Sequence, residues 1–174
     1  MLFLRAYGFH STLGNSGRIE CASSLTHEPI LIPALCPRQT CPSEEGKGHK
    51  VQTILLVDDE PDVRCVLRMQ LERGGYRVLE SETGTHALEI VQKCNPDLIV
   101  LDWRLPGLTG IEVVRRIRGN SSTADLIVFM VTGMDEIEVR QELQNLDVFA
   151  VIEKPFDPGS VFRQIDDALG GSSS

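Results

Sequence analysis

The sequence predicts an α/β fold with three layers, a doubly wound parallel sheet built from five βα units. Two observations carry that prediction. From Thr53 onward, apolar runs of strand length alternate with segments of helical period, five of each. The runs are rich in Val, Ile and Leu and poor in aromatics, as expected of parallel strands covered on both faces. A third observation concerns where the runs stop. Ile54–Val57 meets Asp58-Asp59, Leu98–Leu101 meets Asp102, Leu126–Val131 meets Thr132-Gly133, and Val148–Ile152 meets Glu153-Lys154-Pro155. Open α/β sheets bind ligands outside the carboxyl ends of their strands, so these endings converge on one crevice.

Strands are expected at 53–58, 76–81, 97–102, 126–132 and 148–153, and helices at 61–73, 84–94, 109–119, 135–145 and 158–169. Pro61 suits a first helical turn, and Val63, Val66, Leu67 and Leu71 form one face of the helix it opens. Gly74-Gly75 ends that helix. The second strand, Tyr76-Arg77-Val78-Leu79-Glu80, alternates and carries charge, the pattern of a sheet edge. Ala87, Leu88 and Val91 give the second helix its apolar face, Ile111, Val114 and Ile117 the third, and Val161, Ile165, Ala168 and Leu169 the fifth. Strands separated by helices pair in parallel through right-handed crossovers.

The 174 residues suffice for one ordinary domain. The net charge is −8, and residues from Val51 onward hold 21 acids against 12 bases. Such a surface argues against nonspecific binding to nucleic acid or to an anionic membrane. No run approaches the roughly 18 apolar residues of a membrane span. The start, cut by Arg5, lacks the layout of a signal peptide. Cys65 and Cys94 fall in helical patterns and read as reduced thiols of a cytoplasmic protein. Residues 1–50 have no sustained period and are rich in Ser, Gly, Pro and Thr, so a disordered tail is expected there. Their His and Cys residues match no common zinc spacing. The folded domain is expected over 51–170, followed by a flexible 171–174.

Each strand-end residue has two readings. Asp58-Asp59 could hold a hard cation such as Mg²⁺, which takes one or two carboxylates plus water and phosphate oxygens, or could be a solvated N-cap ahead of Pro61. Asp102 ends a wholly apolar strand, where an acid is costly without partners; it is a nucleophile or metal ligand, or it turns to solvent. Thr132 alone is an ordinary turn residue, though Gly133 allows close backbone approach to a ligand. Lys154 can meet an aspartate or a phosphoryl oxygen, and a cis bond to Pro155 would turn it into the crevice; the alternative is a plain strand-to-helix corner.

Taken together, ILLVDDEPDV, LIVLDWRLPGLTGIEVVRRIR, LIVFMVTG and VIEKPF resemble the receiver domain of bacterial two-component response regulators. The resemblance covers about residues 52–169 and implies the flavodoxin-like strand order 2-1-3-4-5. It implies that Asp102 is the phosphoacceptor for a sensor histidine kinase or a histidine phosphotransfer protein. Asp59 and Asp102 would ligate Mg²⁺ directly, Asp58 largely through water, and the backbone carbonyl of Arg104 would add a ligand. Lys154 would pair with Asp102 and then with a phosphoryl oxygen, while Thr132 would donate its hydroxyl to another. No DNA-binding or enzymatic module is evident, so the expected output is contact with a protein target in trans, with a phosphorylation-dependent homodimer as one form. The expected class is therefore a stand-alone receiver and not an enzyme, the alternative being a receiver-fold binding module that is not phosphorylated. A Mg²⁺-dependent phosphatase would want a second acid just after the nucleophile, where Trp103 and Arg104 stand instead.

Three positions depart from the receiver pattern. Val151 stands where an aromatic is usual, three residues before the lysine. By strand alternation Phe149 should share its side, and Phe129 is the other aromatic nearby. Arg104 and Met134, two residues beyond Asp102 and Thr132, flank the path expected for a hydrolytic water. The long tail is unusual too: Val51 stands where a receiver begins, and a GTG codon there would make residues 1–50 an over-extended gene start.

Overall fold

The computed structural model describes residues 9–13, 19–23, 51–133, 143 and 145–170. The chain forms two compact units, Met1–Thr40 and Cys41–Ser174.

In the first unit, β1 (Phe9–Leu13) and β2 (Ile19–Ser23) pair antiparallel, Phe9 opposite Ser23 and Leu13 opposite Ile19. This differs from the expectation of no regular element before residue 50. Five-residue strands without a clear apolar face leave little periodic signal. The remainder of the tail reading, and that for 171–174, lies outside the described residues.

The second unit holds β3 (Thr53–Val57), α1 (Pro61–Arg73), β4 (Arg77–Ser81), α2 (Gly84–Cys94), β5 (Leu98–Asp102), α3 (Gly110–Arg118), β6 (Ile127–Gly133), β7 (Ala150–Lys154) and α4 (Pro158–Ala168). The helix expected at 135–145 lies outside the described residues, Leu143 and Asn145 apart. The sheet runs β4-β3-β5-β6-β7, every pairing parallel. This is the 2-1-3-4-5 order implied by the resemblance. The charged strand β4 is indeed an edge, and β7 is the other.

Burial follows the sequence pattern. All five residues of β3 and of β5 are buried. On one face of the sheet, Leu55, Val57, Ile99, Leu101, Val128 and Met130 pack with Ala87, Ile90 and Val91 of α2 and with Ile111, Val114 and Ile117 of α3. The alternate strand residues, among them Leu56, Val100, Phe129 and Val131, serve the face that α1 and α4 cover through Val63, Leu67, Val161 and Ile165. Gly75, at φ +87° after the C-cap Gly74, supplies the left-handed turn that ends α1. Among the described residues, no helix is long and apolar enough to cross a membrane.

Cys65 forms no disulfide, in keeping with the thiol expected there.

Candidate phosphoacceptor site

The chemistry converges where β3, β5 and β7 end. Lys154 Nζ donates to Asp58 Oδ2 at 2.8 Å, to Asp102 Oδ2 at 2.9 Å and to Glu60 Oε1 at 2.9 Å. An ammonium has three donors, and all three are spent on carboxylates. The Lys154–Pro155 peptide is cis. Asp58 and Asp102 are 5% and 6% exposed, so neither turns out to solvent as one reading allowed. The other oxygen of each accepts a backbone N–H: Glu60 to Asp58 Oδ1 at 2.8 Å, and Arg104 to Asp102 Oδ1 at 3.2 Å.

Burial is the largest single influence on both Asp58 and Lys154, but only at Asp58 does it set the direction. It pushes the Asp58 carboxyl up to about 6, against the opposing pull of Lys154, and the charge on Asp102 adds to the rise. Burial also pulls the Lys154 ammonium down, but its hydrogen bonds and charge pairing with Asp58 and Asp102 prevail and hold it above the ordinary lysine value.

Asp59 is exposed and completes an acid cluster with Asp58 and Asp102, the three offering oxygens within 4.8 Å of one another. These residues fit a hard divalent cation: oxygen donors only, converging, with four carboxylates including Glu60 set against one ammonium. Thr132, 5% exposed, lies on β6 one step beyond Val131, the register partner of Asp102. Its hydroxyl donates to the carbonyl of its neighbour Gly133 at 3.1 Å. A Cβ on Gly133 would stand 3.3 Å from Arg104 Nη2, so the Arg104 side chain spans from β5 toward the end of β6. Met134 lies outside the described residues.

The structure thus brings Asp58, Asp59, Asp102 and Lys154 into one cluster and sets Thr132 beside it. Three contributors were not legible beforehand. Glu60 is the N-cap of α1, yet its side chain does not cap; it reaches Lys154. Arg64 donates from α1 to the backbone carbonyl of Asp58 at 2.6 Å. Gly110 opens α3 so close to β5 that a Cβ there would fall 2.5 Å from the Asp102 carbonyl. Thr109 and Glu112 form a capping box at the same helix start, and the hydrogen bonds from Thr109 hold the Glu112 carboxyl below its usual range. The T-G-I-E spelling of that box was a readable signal; the reach of Glu60 was not, because it depends on a residue 94 positions away.

The response regulator receiver domain family matches residues 54–166. The chain belongs to that family. It is 38% identical over 120 residues to the phosphate regulon transcriptional regulatory protein PhoB of Pseudomonas aeruginosa, covering 68% of this chain and 52% of that protein. It is 34% identical over 106 residues to sporulation initiation phosphotransferase F of Bacillus subtilis, covering 61% of this chain and 84% of that one. The chain therefore spans about half the length of the first and most of the second. Among solved structures, chemotaxis response regulator CheY4 of Vibrio cholerae superposes with a TM-score of 0.64 at 28% identity, over 69% of this chain and all of that one. A response regulator from Chloroflexus aurantiacus superposes with a TM-score of 0.65 at 29% identity, over 69% of this chain and 98% of that one. Receivers are signalling modules of two-component phosphorelays, in which phosphorylation and Mg²⁺ are typical.

The aromatic neighbourhood corrects one detail. Val151 is 42% exposed on the edge strand β7, and Phe149 does not join it in the strand. Phe149 stands ahead of β7, where strict alternation no longer applies. Its ring stacks on the fully buried Phe129, centroids 5.5 Å apart.

Proposed function

We propose that this receiver takes a phosphoryl group from the phosphohistidine of a sensor histidine kinase or a histidine phosphotransfer protein onto Asp102, in the cytoplasm. A carboxylate oxygen of Asp102 forms the new O–P bond, the P–N bond to the imidazole breaks, and the imidazole nitrogen keeps the electron pair. The observation that carries the reading is the meeting of Lys154 Nζ with Asp102 Oδ2 at 2.9 Å inside the acid cluster. Lys154 neutralises the resting acceptor and then follows the charge onto a phosphoryl oxygen. Asp58, Asp59, Asp102 and the backbone carbonyl of Arg104 would hold Mg²⁺, which offsets the charge gathered on acceptor and phosphoryl oxygens. Thr132 exchanges its bond to the Gly133 carbonyl for one to a phosphoryl oxygen, drawing the end of β6 inward. The reach of Arg104 toward Gly133 supports a screened, slowly hydrolysed phosphoryl group.

We read the output as contact with a protein target in trans, with a phosphorylation-dependent homodimer as one form and no part for nucleic acid or membrane. The sporulation phosphotransferase match, 84% of whose length is spanned, supports an output of this kind. With Val151 in place of an aromatic and Phe129 packed beneath Phe149, the signal passes through the end of β6 rather than through a ring flip. Phe129→Ala is expected to abolish partner binding and Val151→Ala to leave it unchanged; the reverse would overturn that route. The main reading is tested by intact mass after exposure to a small phosphodonor with Mg²⁺. Gain of one phosphoryl group by the wild type and none by Asp102→Asn is the expected result. No gain by a wild type that binds Mg²⁺ would favour a phosphorylation-independent binding module.

A further inference from the structure

Arg64 is the fourth residue of α1, between the buried Val63 and Val66, and is 9% exposed. A guanidinium buried in that position is costly unless its donors are used. Nη1 donates to the Asp58 carbonyl at 2.6 Å, Nη2 donates to Glu82 Oε1 at 2.6 Å, and Nε faces Glu80 Oε1 at 3.6 Å. The N–H of Asp58 in turn donates to the carbonyl of Ser81, at the end of β4, at 3.2 Å. The backbone of Asp58 is therefore tied to the β4 end twice: directly through its N–H, and through Arg64 and Glu82 at its C=O.

That carbonyl belongs to the peptide joining Asp58 to Asp59. The peptide is planar and rigid, so fixing its oxygen fixes the plane and the Cα from which the Asp59 side chain departs. Among the described residues, no hydrogen bond or ion pair holds the Asp59 carboxylate itself. Its aim at Asp58 and Asp102, within 4.8 Å, depends on the backbone.

We infer that Arg64 is a positioning residue for the divalent cation, holding the Asp58–Asp59 peptide so that both acids face Asp102. The inference rests on the reading of Asp58, Asp59 and Asp102 as the Mg²⁺ site. Its sign separates it from plain electrostatics. Deleting a positive charge near a cation site should tighten cation binding; deleting a positioning residue should weaken it.

The test is Mg²⁺ titration of the full chain by calorimetry and by fluorescence of Trp103, the single tryptophan, next to Asp102. Arg64→Met is expected to raise the Mg²⁺ dissociation constant about tenfold, the scale of residues that orient metal ligands. Phosphoryl uptake from a small phosphodonor should recover at saturating Mg²⁺. Arg64→Lys, which can reach the carbonyl but cannot fork to Glu82 as well, should lose less. Arg68→Met removes a neighbouring cation that pairs with Glu80 and should not weaken binding. Unchanged or tighter binding by Arg64→Met, with or without a lower Tm, overturns the inference, as does equal weakening by Arg68→Met. Should Arg64→Met fail to fold, Arg64→Lys decides, because it keeps the charge and loses only the fork: weaker Mg²⁺ binding supports the inference, and wild-type affinity overturns it. A wild type that binds no Mg²⁺ would instead overturn the underlying reading of the acid cluster.

Discussion

The two ends of the sheet each place one long cation among oxygens, with opposite consequences. At the amino end, Arg118 of α3 donates to the carbonyls of Ala124 at 2.8 Å and Leu126 at 2.9 Å, and also to the carbonyl of Asp147, joining α3 to the entries of β6 and β7. Its acceptors are neutral, apart from a long contact to Asp147 Oδ2 at 3.9 Å. At the carboxyl end, Lys154 meets three carboxylates, and one of them, Asp58, is pushed up to about 6. The amino end is a finished staple. The carboxyl end carries an excess of buried acid that a bound cation or a phosphorylated acceptor would rearrange. The amino end is closed by its own contacts, and the carboxyl end is left to respond to what binds there.

Removing either cation is the sharpest way to break this contrast. Lys154→Met leaves Asp58 and Asp102 buried without their counter-ion and is expected to cost about 3 kcal/mol in metal-free protein. Added Mg²⁺ should restore much of the loss, read as Tm with chelator against Tm with Mg²⁺. Arg118→Ala should cost about 2 kcal/mol, the scale of hydrogen bonds from a charged donor. Mg²⁺ should do no more for it than for the wild type. If Mg²⁺ rescued both variants alike, the two ends would not differ as described.

Asp58→Asn sharpens the carboxyl end alone. A carboxyl whose folded pKa is raised from 3.8 to about 6 contributes its full stability below 3.8 and loses it as pH rises through about 6. The metal-free Asn variant should therefore match the wild type near pH 4 and exceed it by about 1.5 kcal/mol at pH 7, a figure scaled down from the full shift. Paired thermal melts across that window, with chelator present, check the sign. The smallest effect lies beside the staple, just ahead of β7. Phe149 is 61% exposed and contributes one stacked face to Phe129, so Phe149→Ala should cost about 1 kcal/mol by denaturant unfolding. A loss near zero would mean the stack contributes nothing in solution.

The strand endings were legible because they are local. A buried parallel strand must be apolar, so Asp58, Asp102, Thr132 and Lys154 stood out against Val, Ile and Leu, and the topology rule assigned them to one crevice. The expected strands differ from those observed by at most two residues at any end. Phe149 failed for the same reason that the others succeeded: alternation is a property of strands, and Phe149 stands outside one. The short β1–β2 pair carries no periodic signal of its own.

By itself the sequence determined the fold class, the edge character of β4 and the identity of the acids, the hydroxyl and the ammonium at the strand ends, because burial selects side chains position by position. Only the tertiary structure decided that Glu60 abandons its helix cap for Lys154, that Arg64 grips the Asp58 carbonyl, and that Gly110 alone fits against Asp102. Those contacts depend on how closely separate elements approach and on which donors remain unspent once the elements pack. No spacing along the chain encodes that distance.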